Sequence, residues 1–198
     1  MTEALLQGEP FKRLFFALAC EAPQRRDIAR WRNELGANLG RPVPSANFHL
    51  TLMFLGAVPT VQLPAICAAV AHVSVPGKPL LVELDKLEVW RAAKALVLAP
   101  TQTPVQLRQL VYALQQALLA LGFTDVPREY RAHLTLARDY QGPVPEAMVA
   151  PDFILRARHF TLFESRKGRY EPLQQWPLVV TSESTPTPAS TMQPPPGL

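Results

Sequence analysis

Residues 48–56, FHLTLMFLG, form an apolar run interrupted by one histidine and one threonine. Four of these letters, HLTL, return at residues 133–136. Composition alone predicts roughly a quarter of one His-x-Thr pairing in this chain, yet three occur. The third, HFTL at residues 159–162, follows a proline-rich segment without a helical pattern. We therefore interpret the two HLTL segments as a repeat and the third match as an ordinary strand.

The sequence that leads to each HLTL segment is also repeated. Residues 13–19 have the apolar character of a buried strand, and residues 22–39 carry apolar side chains at helical spacing. Arg13 precedes the first histidine by 36 residues, and Ala95 precedes the second by 38. Both halves have the order strand, helix, loop, HLTL strand. In the second half the helix is indicated by an apolar stripe made of Leu107, Leu110, Val111, Leu114, Leu118 and Leu121.

Local signals set the boundaries of the remaining predicted elements. Gly56 is expected to end the first HLTL strand. A helix is expected over residues 60–73, with Thr60 as its cap. Residues 80–90 and 94–99 predict a hairpin. The other boundary signals are Pro64 in the first turn of that helix, Thr103 and Pro104 as cap and first residue of the next helix, and Gly122 at its end.

Each HLTL segment has a polar face and an apolar face, because side chains of a strand point alternately to its two sides. Leu50 and Leu52 share the apolar face, which we expect to lie in the core. If the duplicated halves pack about a pseudo-twofold axis, the two strands lie side by side. The four polar side chains then share one cleft: His49, Thr51, His133 and Thr135.

Two facing imidazoles suit displacement at phosphorus. One ring can take a proton from the attacking water while the other gives a proton to the leaving oxygen. Because the unperturbed histidine pKa is ~6.5, one ring can be neutral and the other charged near neutral pH. Threonine hydroxyls can donate hydrogen bonds to the non-bridging phosphoryl oxygens. This chemistry needs no metal. The remaining histidine, His72, is not part of either motif and is expected at the surface.

Composition and charge limit the class of protein. A chain of 198 residues with 48% apolar and 18% charged side chains is typical of one globular domain. The formal charge of +4 suits a polyanionic partner without establishing one. The distant Cys20 and Cys67 indicate no disulfide framework, so we expect a reduced, cytoplasmic setting. We expect no membrane association, because no apolar run reaches the ~20 residues of a membrane-spanning helix.

The domain prediction is a single bilobal domain over residues 1–180, followed by a tail. Residues 181–198 are rich in Ser, Thr and Pro and predict a disordered segment. The sequence contains no HExxH or CxxC pattern, and no carboxylate lies beside either HLTL segment. P-loop, GxGxxG and GxSxG motifs are also absent from the sequence. We therefore expect neither a metal nor a cofactor.

Five segments of the chain carry a resemblance to a known family: RLFFALA, NFHLTLMFLG, ALQQALLALGF, RAHLTLAR and FTLFESRKGRYEPLQQWPL. Together they span residues 13–178 and resemble the two-histidine (2H) phosphoesterase superfamily. Within it, the similarity is to the bacterial RNA 2′,3′-cyclic phosphodiesterases, formerly called 2′-5′ RNA ligases. The resemblance implies an α+β fold of two pseudo-symmetric lobes, each an antiparallel sheet with helices on its outer face, with the active-site cleft between the lobes.

The resemblance also implies roles for the repeated residues. By position, His49 is the general acid that protonates the leaving 3′ oxygen, and His133 is the base that activates water. Thr51 and Thr135 are expected to bind the phosphoryl oxygens.

Two arginines compete for a phosphate-binding role. Arg138 corresponds to an arginine that neutralises phosphate charge in such enzymes. Strand alternation turns Arg138 away from His133 unless the strand ends or bulges there. Arg131 lies on the same side of the strand as His133 by alternation, so it is the competing candidate.

Three further side chains are candidates for binding RNA. Phe48 would stack on a base in the cleft, although alternation favours packing in the core. Arg166 and Tyr170, near the C-terminal hairpin, would line the groove that takes the RNA strand. Met53 stands where a polar or basic residue is common in the family, so we expect no direct phosphate contact from that position.

The function favoured by these predictions is metal-independent hydrolysis of RNA 2′,3′-cyclic phosphate ends to 2′-phosphomonoesters by a monomeric enzyme. Its substrate is RNA or a nucleotide with such an end. Two alternatives use the same site: reversal, which joins the end to a 5′ hydroxyl as a 2′-5′ linkage, and hydrolysis of a small cyclic phosphate of nucleotide or ADP-ribose type. A different class is a non-catalytic RNA-binding module, which needs basic and aromatic groups rather than two facing imidazoles.

Overall fold

The structure is a computed structural model that describes residues 10–124 and 129–179 of the chain. The predicted tail, residues 181–198, lies outside these ranges. The strands are β1 (Phe11–Ala19), β2 (Arg41–Pro42), β3 (His49–Pro59), β4 (Leu80–Leu84), β5 (Lys86–Trp90), β6 (Ala95–Ala99), β7 (Leu134–Arg138), β8 (Phe153–Ala157), β9 (His159–Arg166) and β10 (Arg169–Pro177). The α-helices are α1 (Ala22–Glu34), α2 (Leu63–Val70) and α3 (Val105–Leu119), and short 3-10 turns at Ser45–Asn47 and Thr60–Gln62 precede β3 and α2.

Eight strands form one antiparallel sheet in the order β10, β9, β1, β3, β7, β6, β5, with β2 also paired to β7. The two HLTL strands, β3 and β7, are neighbours in this sheet and meet through one register pair, Leu50 with Leu134. β1 and β6 flank them, and each is the strand that precedes the helix of its half. The predicted α+β fold of two antiparallel lobes is confirmed, and the sheets of the lobes are continuous at Leu50 and Leu134.

The leucines of both HLTL strands lie in the core. Leu50 and Leu134 are fully buried, and they belong to one hydrophobic cluster with apolar side chains of all three helices. Five of the six residues in the predicted stripe of α3 are buried: Leu107, Leu110, Val111, Leu114 and Leu118. The helices therefore cover the leucine face of the sheet, and the histidine face stays open for a site.

The first helix is shorter than predicted. α1 ends at Glu34 rather than at residue 39, because Gly36 adopts a φ of 118°, which no helix accommodates. Leu39 is nevertheless buried. Leu39 therefore packs in the core without being part of the helix.

The caps of the other two helices were predicted wrongly. Thr60 begins a 3-10 turn instead of capping α2, which starts at Leu63 and keeps Pro64 in its first turn. Pro104, and not Thr103, is the N-cap residue of α3. Within the described ranges, none of the helices combines the length and apolarity that crossing a membrane requires.

Two strand predictions also need correction. The apolar run at residues 80–90 breaks at Asp85, whose Oδ1 accepts the backbone N–H of Thr101 at 2.7 Å. β4 pairs with β8 in a separate two-stranded sheet, whereas β5 forms the predicted hairpin with β6. Gly56 does not end β3, which continues to Pro59. A register shift between β3 and β1 beside Gly56 accommodates its φ of 72° within the strand.

Both HLTL strands bulge at their second leucine. The register of β3 with β1 skips Leu52, and the register of β7 with β6 skips Leu136. The next residue in each strand, Met53 or Ala137, is buried as well. A bulge adds one residue to one strand only, so the side chains that follow it change faces.

Beyond its bulge, β7 is approached closely by β2. Arg41 pairs with Arg138, which brings the backbone of Gly40 against the Arg138 carbonyl group. Gly40 has a φ of 77°, and a Cβ at this position would overlap the Arg138 carbonyl oxygen. Glycine is required here both by conformation and by space.

We predict that Gly40→Ala destabilises the fold by about 2–4 kcal/mol, because it adds overlap with β7 to the backbone strain. Gly168→Ala is the matched control: its φ is 76°, with open space where the Cβ would lie. That variant should lose only about 1 kcal/mol. The measurement is urea unfolding of both variants, and equal losses would contradict the steric argument.

Candidate active site

A cavity of about 770 Å³ lies on the histidine face of the sheet, at the junction of the two halves. It is lined by the four side chains of the HLTL repeat: His49, Thr51, His133 and Thr135. The structure thus brings these four residues into one pocket. The physical reason is the pairing of β3 with β7, which puts the polar faces of both motifs on the same side.

The His49 ring is held through both of its nitrogens. Nδ1 lies 2.6 Å from the backbone oxygen of Asn47, and Nε2 lies 3.0 Å from Thr51 Oγ1. A carbonyl oxygen only accepts, so Nδ1 carries a proton and donates it. In the neutral ring Nε2 then has the lone pair and accepts the Thr51 hydroxyl.

His133 is held by the same kind of contact. Its Nδ1 lies 2.9 Å from the backbone oxygen of Arg131, two residues upstream, just as Asn47 is two residues upstream of His49. The Nδ1–H group donates to this oxygen, which leaves the lone pair on Nε2 in the neutral ring. Both histidines therefore have the tautomer in which Nε2 can accept a proton.

The pKa of each histidine is lowered from its ordinary value. Burial is the main cause for His49 and brings its pKa to about 4, with smaller contributions from the nearby His133 and Arg138. Burial is also the main cause for His133, with Arg131 and Arg138 adding to it. The carbonyl groups that accept the Nδ1–H protons act in the opposite direction. Near neutral pH both imidazoles are therefore neutral.

An aromatic layer surrounds His49. Its ring centroid lies 5.1 Å from that of Phe15 and 5.1 Å from that of Tyr170, which meets it edge-on. Asn47 reinforces this side, because its side-chain amide donates to the Gly168 carbonyl oxygen at 2.8 Å and so connects the β9–β10 hairpin to β3. Tyr170, predicted to line an RNA groove, lines the cavity. Phe15 was not predicted as a site residue, because two adjacent phenylalanines in a buried strand only indicated core.

The bulge in β7 turns Arg138 toward the site. Strand alternation in the sequence left Arg138 facing away from His133, unless a bulge intervened. The register skip at Leu136 supplies that bulge, and Arg138 lines the cavity with both histidines. Its charge also contributes to lowering the pKa of His49 and of His133.

A buried arginine of α1 supports the backbone at this bulge. Arg32 Nη1 donates to the carbonyl oxygens of Val43, at 2.5 Å, and of Leu136, at 3.4 Å. The Leu136 oxygen also accepts the backbone N–H of Val43 at 2.9 Å. The irregular backbone ahead of Arg138 therefore has its polar groups satisfied, as a buried bulge requires.

The counterpart of Arg138 in the first half is Phe54, which follows the bulge in β3. Its side chain is 65% exposed, lines the cavity, and lies 5.9 Å from Phe15 between ring centroids. Sequence reasoning missed Phe54 because alternation without the bulge points it into the core. Because of the same bulge, Met53 is buried in the core and does not line the cavity.

Arg131 does not occupy the phosphate-binding position for which it was the competing candidate. It does not line the cavity that contains His49 and His133. Its Nη2 lies 3.1 Å from Glu88 Oε2, and its guanidinium stacks 4.3 Å from the Trp90 ring. The part of Arg131 that meets the site is its backbone oxygen, which holds His133.

Two of the candidates for binding RNA lie outside the cavity. Phe48 is buried in the core beneath Arg32, whose guanidinium is 5.4 Å from the ring, so stacking on a base in the cleft is wrong for this residue. Arg166 is exposed at the end of β9 and is not part of the cavity lining. His159, the histidine of the third match, is exposed at the start of β9 and away from the cavity.

Across residues 10–124 and 129–179, no group of three or more His, Cys, Asp or Glu side chains has the geometry of a metal site.

Comparison with known proteins identifies relatives of the chain. The model of the family described as LigT-like phosphoesterase matches twice, at residues 18–96 and 97–173. The RNA 2′,3′-cyclic phosphodiesterase of Escherichia coli (strain K12) is 32% identical over 176 residues, which cover 86% of this chain and 98% of that protein. A Bacillus subtilis (strain 168) protein of the same name is 27% identical over 157 residues, 74% of this chain and 85% of that protein.

Solved structures give the same result for the fold. The crystal structure of E. coli LigT complexed with 3′-AMP superposes with a TM-score of 0.76 at 30% identity, covering 85% of this chain and 98% of that one. A crystal structure described as a phosphoesterase has a TM-score of 0.77 at 31% identity, covering 87% and 100%. The two family matches fall one on each half of the chain, in agreement with the duplication.

We predict that Arg138→Met raises the pKa of both histidines, since it removes a positive charge that disfavours their protonated forms. NMR titration of the ligand-free protein should give a midpoint of about 4 for His49 and one below the ordinary histidine value for His133. Both midpoints should be higher in the variant. Arg91→Met, which removes an equal charge outside the cavity, should leave them unchanged; unchanged midpoints in Arg138→Met itself would refute the assignment.

Proposed function

The chain belongs to the LigT-like phosphoesterase family, and we propose that it is an RNA 2′,3′-cyclic phosphodiesterase that uses His49 as proton donor and His133 as proton acceptor. One observation carries the proposal: two histidines, each with its Nδ1–H fixed by a backbone oxygen, face a single cavity. A general acid and a general base on either side of a phosphoryl group are what ring opening of a cyclic phosphate requires.

The proposed reaction starts at His133. Its Nε2 takes a proton from water, the water oxygen attacks phosphorus, and the bond between phosphorus and O3′ breaks. His49 gives its proton to O3′, and the product is a 2′-phosphomonoester with a free 3′ hydroxyl. One proton enters at His133 and one leaves from His49, so the two rings exchange protonation states in each turnover.

His49 must be protonated before it can act as an acid, although burial lowers its pKa to about 4. A bound cyclic phosphodiester carries a negative charge into the cavity, and that charge favours the protonated imidazole. Substrate binding therefore raises the pKa of His49 toward the working range. His133 does not need to be protonated, and in its neutral form it is free to accept a proton from water.

The threonines and Arg138 complete the proposed phosphate site. Thr51 donates its hydroxyl to the Nε2 of a neutral His49. When His49 is protonated, that hydroxyl is free to donate to a non-bridging oxygen of the substrate. Thr135, the matching residue of the second half, is assigned to the other oxygen, and Arg138 to the negative charge.

We propose that residues 1–180 act as one bilobal unit and that the protein is a monomer. The hydrophobic cluster supports the single unit, because it includes residues from Leu14 in β1 to Leu178 after β10. Both cysteines are free thiols, and burial raises the pKa of Cys20 to about 12, as in an unreactive core thiol. The expectation of a reduced, cytoplasmic setting rests on this cysteine usage.

Phe54 is proposed as the platform on which the terminal base stacks. It is exposed at the rim of the cavity, and every base offers a flat face to an aromatic ring.

We predict that Phe54→Ala raises the KM for a 2′,3′-cyclic phosphate-terminated oligonucleotide about 5- to 150-fold, the equivalent of about 1–3 kcal/mol of stacking. The change in kcat should be much smaller. Phe11→Ala is the control, because Phe11 is 57% exposed on the same sheet but outside the cavity. Steady-state kinetics on both variants measure the effect, and an unchanged KM in Phe54→Ala would remove Phe54 from the substrate site.

The central prediction is turnover of a 2′,3′-cyclic phosphate-terminated oligonucleotide by the purified full chain in excess EDTA. His49→Ala and His133→Ala should each lower the rate by about 10²–10⁴-fold, the usual contribution of a general acid or base. His159→Ala and His72→Ala should keep the wild-type rate, because these exposed histidines lie outside the cavity. The product is identified by ³¹P NMR.

The substrates used in this assay separate the alternatives. Faster turnover of a cyclic mononucleotide or an ADP-ribose cyclic phosphate would favour a small-molecule substrate, and a 2′-5′ joined product with a 5′-hydroxyl RNA would favour ligation. RNA binding without any turnover would favour the non-catalytic module. Full activity in either histidine variant of the cavity would end the proposed mechanism.

A further inference from the structure

A cluster of charged and aromatic side chains lies beside His133, and Glu88 is at its centre. Lys86, Glu88 and Trp90 alternate along β5, so they share one face of the strand. Glu88 Oε1 pairs with Lys86 Nζ at 2.8 Å. Its Oε2 accepts the Trp90 Nε1–H at 2.8 Å and the Arg131 guanidinium at 3.1 Å. One carboxylate therefore holds three donors.

Two of these donors are the groups that hold His133. The Trp90 ring centroid lies 4.2 Å from that of His133, in tilted contact. Arg131 supplies the backbone oxygen that accepts the His133 Nδ1–H, and its guanidinium lies 4.3 Å from the same Trp90 ring. Glu88 therefore binds both residues that hold His133: Trp90, which contacts its ring, and Arg131, which fixes its tautomer.

The geometry of the cluster indicates a positional role more than a contribution to stability. Glu88 is 20% exposed, but its partner Arg131 is 57% exposed and Lys86 56%. Ion pairs to such exposed partners are screened by solvent and stabilise a fold little. What the pairs do provide is a fixed orientation of the indole and of the backbone at Arg131. Hydrogen bonds to Lys86 and Trp90 also lower the pKa of Glu88, which keeps the carboxylate charged.

The other histidine is supported in a different way. His49 lies against the rings of Phe15 and Tyr170. Asn47 and Thr51 also contact its two ring nitrogens, so packing and two hydrogen bonds together fix the ring. His133 contacts Trp90, beside the charged cluster around Glu88, and only its Nδ1 is held, by the Arg131 backbone oxygen. A ring in that position needs directional contacts to stay in line with an attacking water.

We propose that Glu88 is a positioning residue for His133, acting through the Trp90 indole and through Arg131. It touches neither the reacting atoms nor the cavity that contains both histidines. The inference rests on the proposed function for its kinetic consequence: a misaligned base removes the proton from water less well. Its structural consequence, the orientation and tautomer of His133, does not depend on any activity.

The test uses Glu88→Gln and Glu88→Ala in the full chain. Gln keeps an oxygen for the Trp90 Nε1–H but loses the charge that holds Lys86 and Arg131, whereas Ala loses both. With a cyclic phosphate-terminated oligonucleotide, kcat should fall about 5-fold or more in Glu88→Ala and by less in Glu88→Gln, since small displacements of a catalytic group reduce the rate steeply. KM should stay within about twofold, because Glu88 does not line the cavity.

A double-variant comparison tests the route. Trp90→Phe keeps a ring against His133 but removes the Nε1–H that Glu88 accepts. If Glu88 acts through Trp90, the double variant Glu88→Ala with Trp90→Phe loses much less than the product of the two single losses. Independent, multiplying losses would overturn this route.

A second readout is the ¹⁵N NMR signals of the His133 ring in the ligand-free protein. In the wild type they should report the Nδ1–H tautomer, and in Glu88→Ala they should shift toward a mixture of tautomers, with His49 unaffected. Glu83→Gln is the control, because it removes an exposed carboxylate of β4 outside the cavity, and it should change neither signals nor rates.

The outcomes separate this inference from the proposed function. Wild-type kcat in Glu88→Ala, or a loss of kcat with unchanged His133 signals, would overturn the positioning role. If the wild-type protein turned over no cyclic phosphate, the proposed function would fail, and the NMR comparison would still decide whether Glu88 orients His133. Glu88→Gln, which is close in shape to the native residue, keeps the test valid if Glu88→Ala does not fold.

Discussion

The pairing of Leu50 with Leu134 is the constraint on which the site depends. The two leucines must be buried beneath the helices, and burying them turns the histidine and threonine of each strand to the opposite face. Because β3 and β7 pair at this one position, they diverge on either side of it and leave room for a cavity between the halves. The hydrophobic requirement of the core therefore creates the polar cleft.

The second constraint is the pair of bulges that follows. Each lies at the second leucine of an HLTL segment, so the duplicated halves deform in the same way. The residues that each bulge redirects are different, however: Phe54 in the first half and Arg138 in the second. One deformation thus places an aromatic ring at one side of the cavity and a positive charge at the other. The same bulge in both halves in this way presents different side chains to the cavity, which is what a substrate with a base and a phosphate requires.

The two histidines differ for the same reason. Both have their Nδ1–H fixed by the backbone oxygen two residues upstream, so their tautomers are equivalent. Their surroundings are not, since His49 lies in an aromatic layer with Phe15 and Tyr170, and His133 contacts Trp90 beside the charged cluster around Glu88. Burial lowers the pKa of His49 to about 4. Opposite roles in proton transfer are proposed for two residues that began as copies, and the neighbours of each ring supply the difference.

The sequence by itself determined the duplication, the α+β class and the membership of His49, Thr51, His133 and Thr135 in one set, because period-two alternation and a repeated tetrapeptide are local properties of the chain. The sequence also predicted the order of strands and helices in both halves. It did not predict where α1 ends or where residues 80–90 divide between two sheets. These boundaries depend on the backbone conformation of Gly36 and on the hydrogen bond that Asp85 accepts from Thr101. Only the tertiary structure decided that Arg138 and Phe54 face the cavity, that Phe48 does not, and that Arg131 pairs with Glu88. The physical reason is that a bulge is defined by the register between two strands, and an ion pair by residues distant in sequence. Neither leaves a signal in the order of residues along one segment.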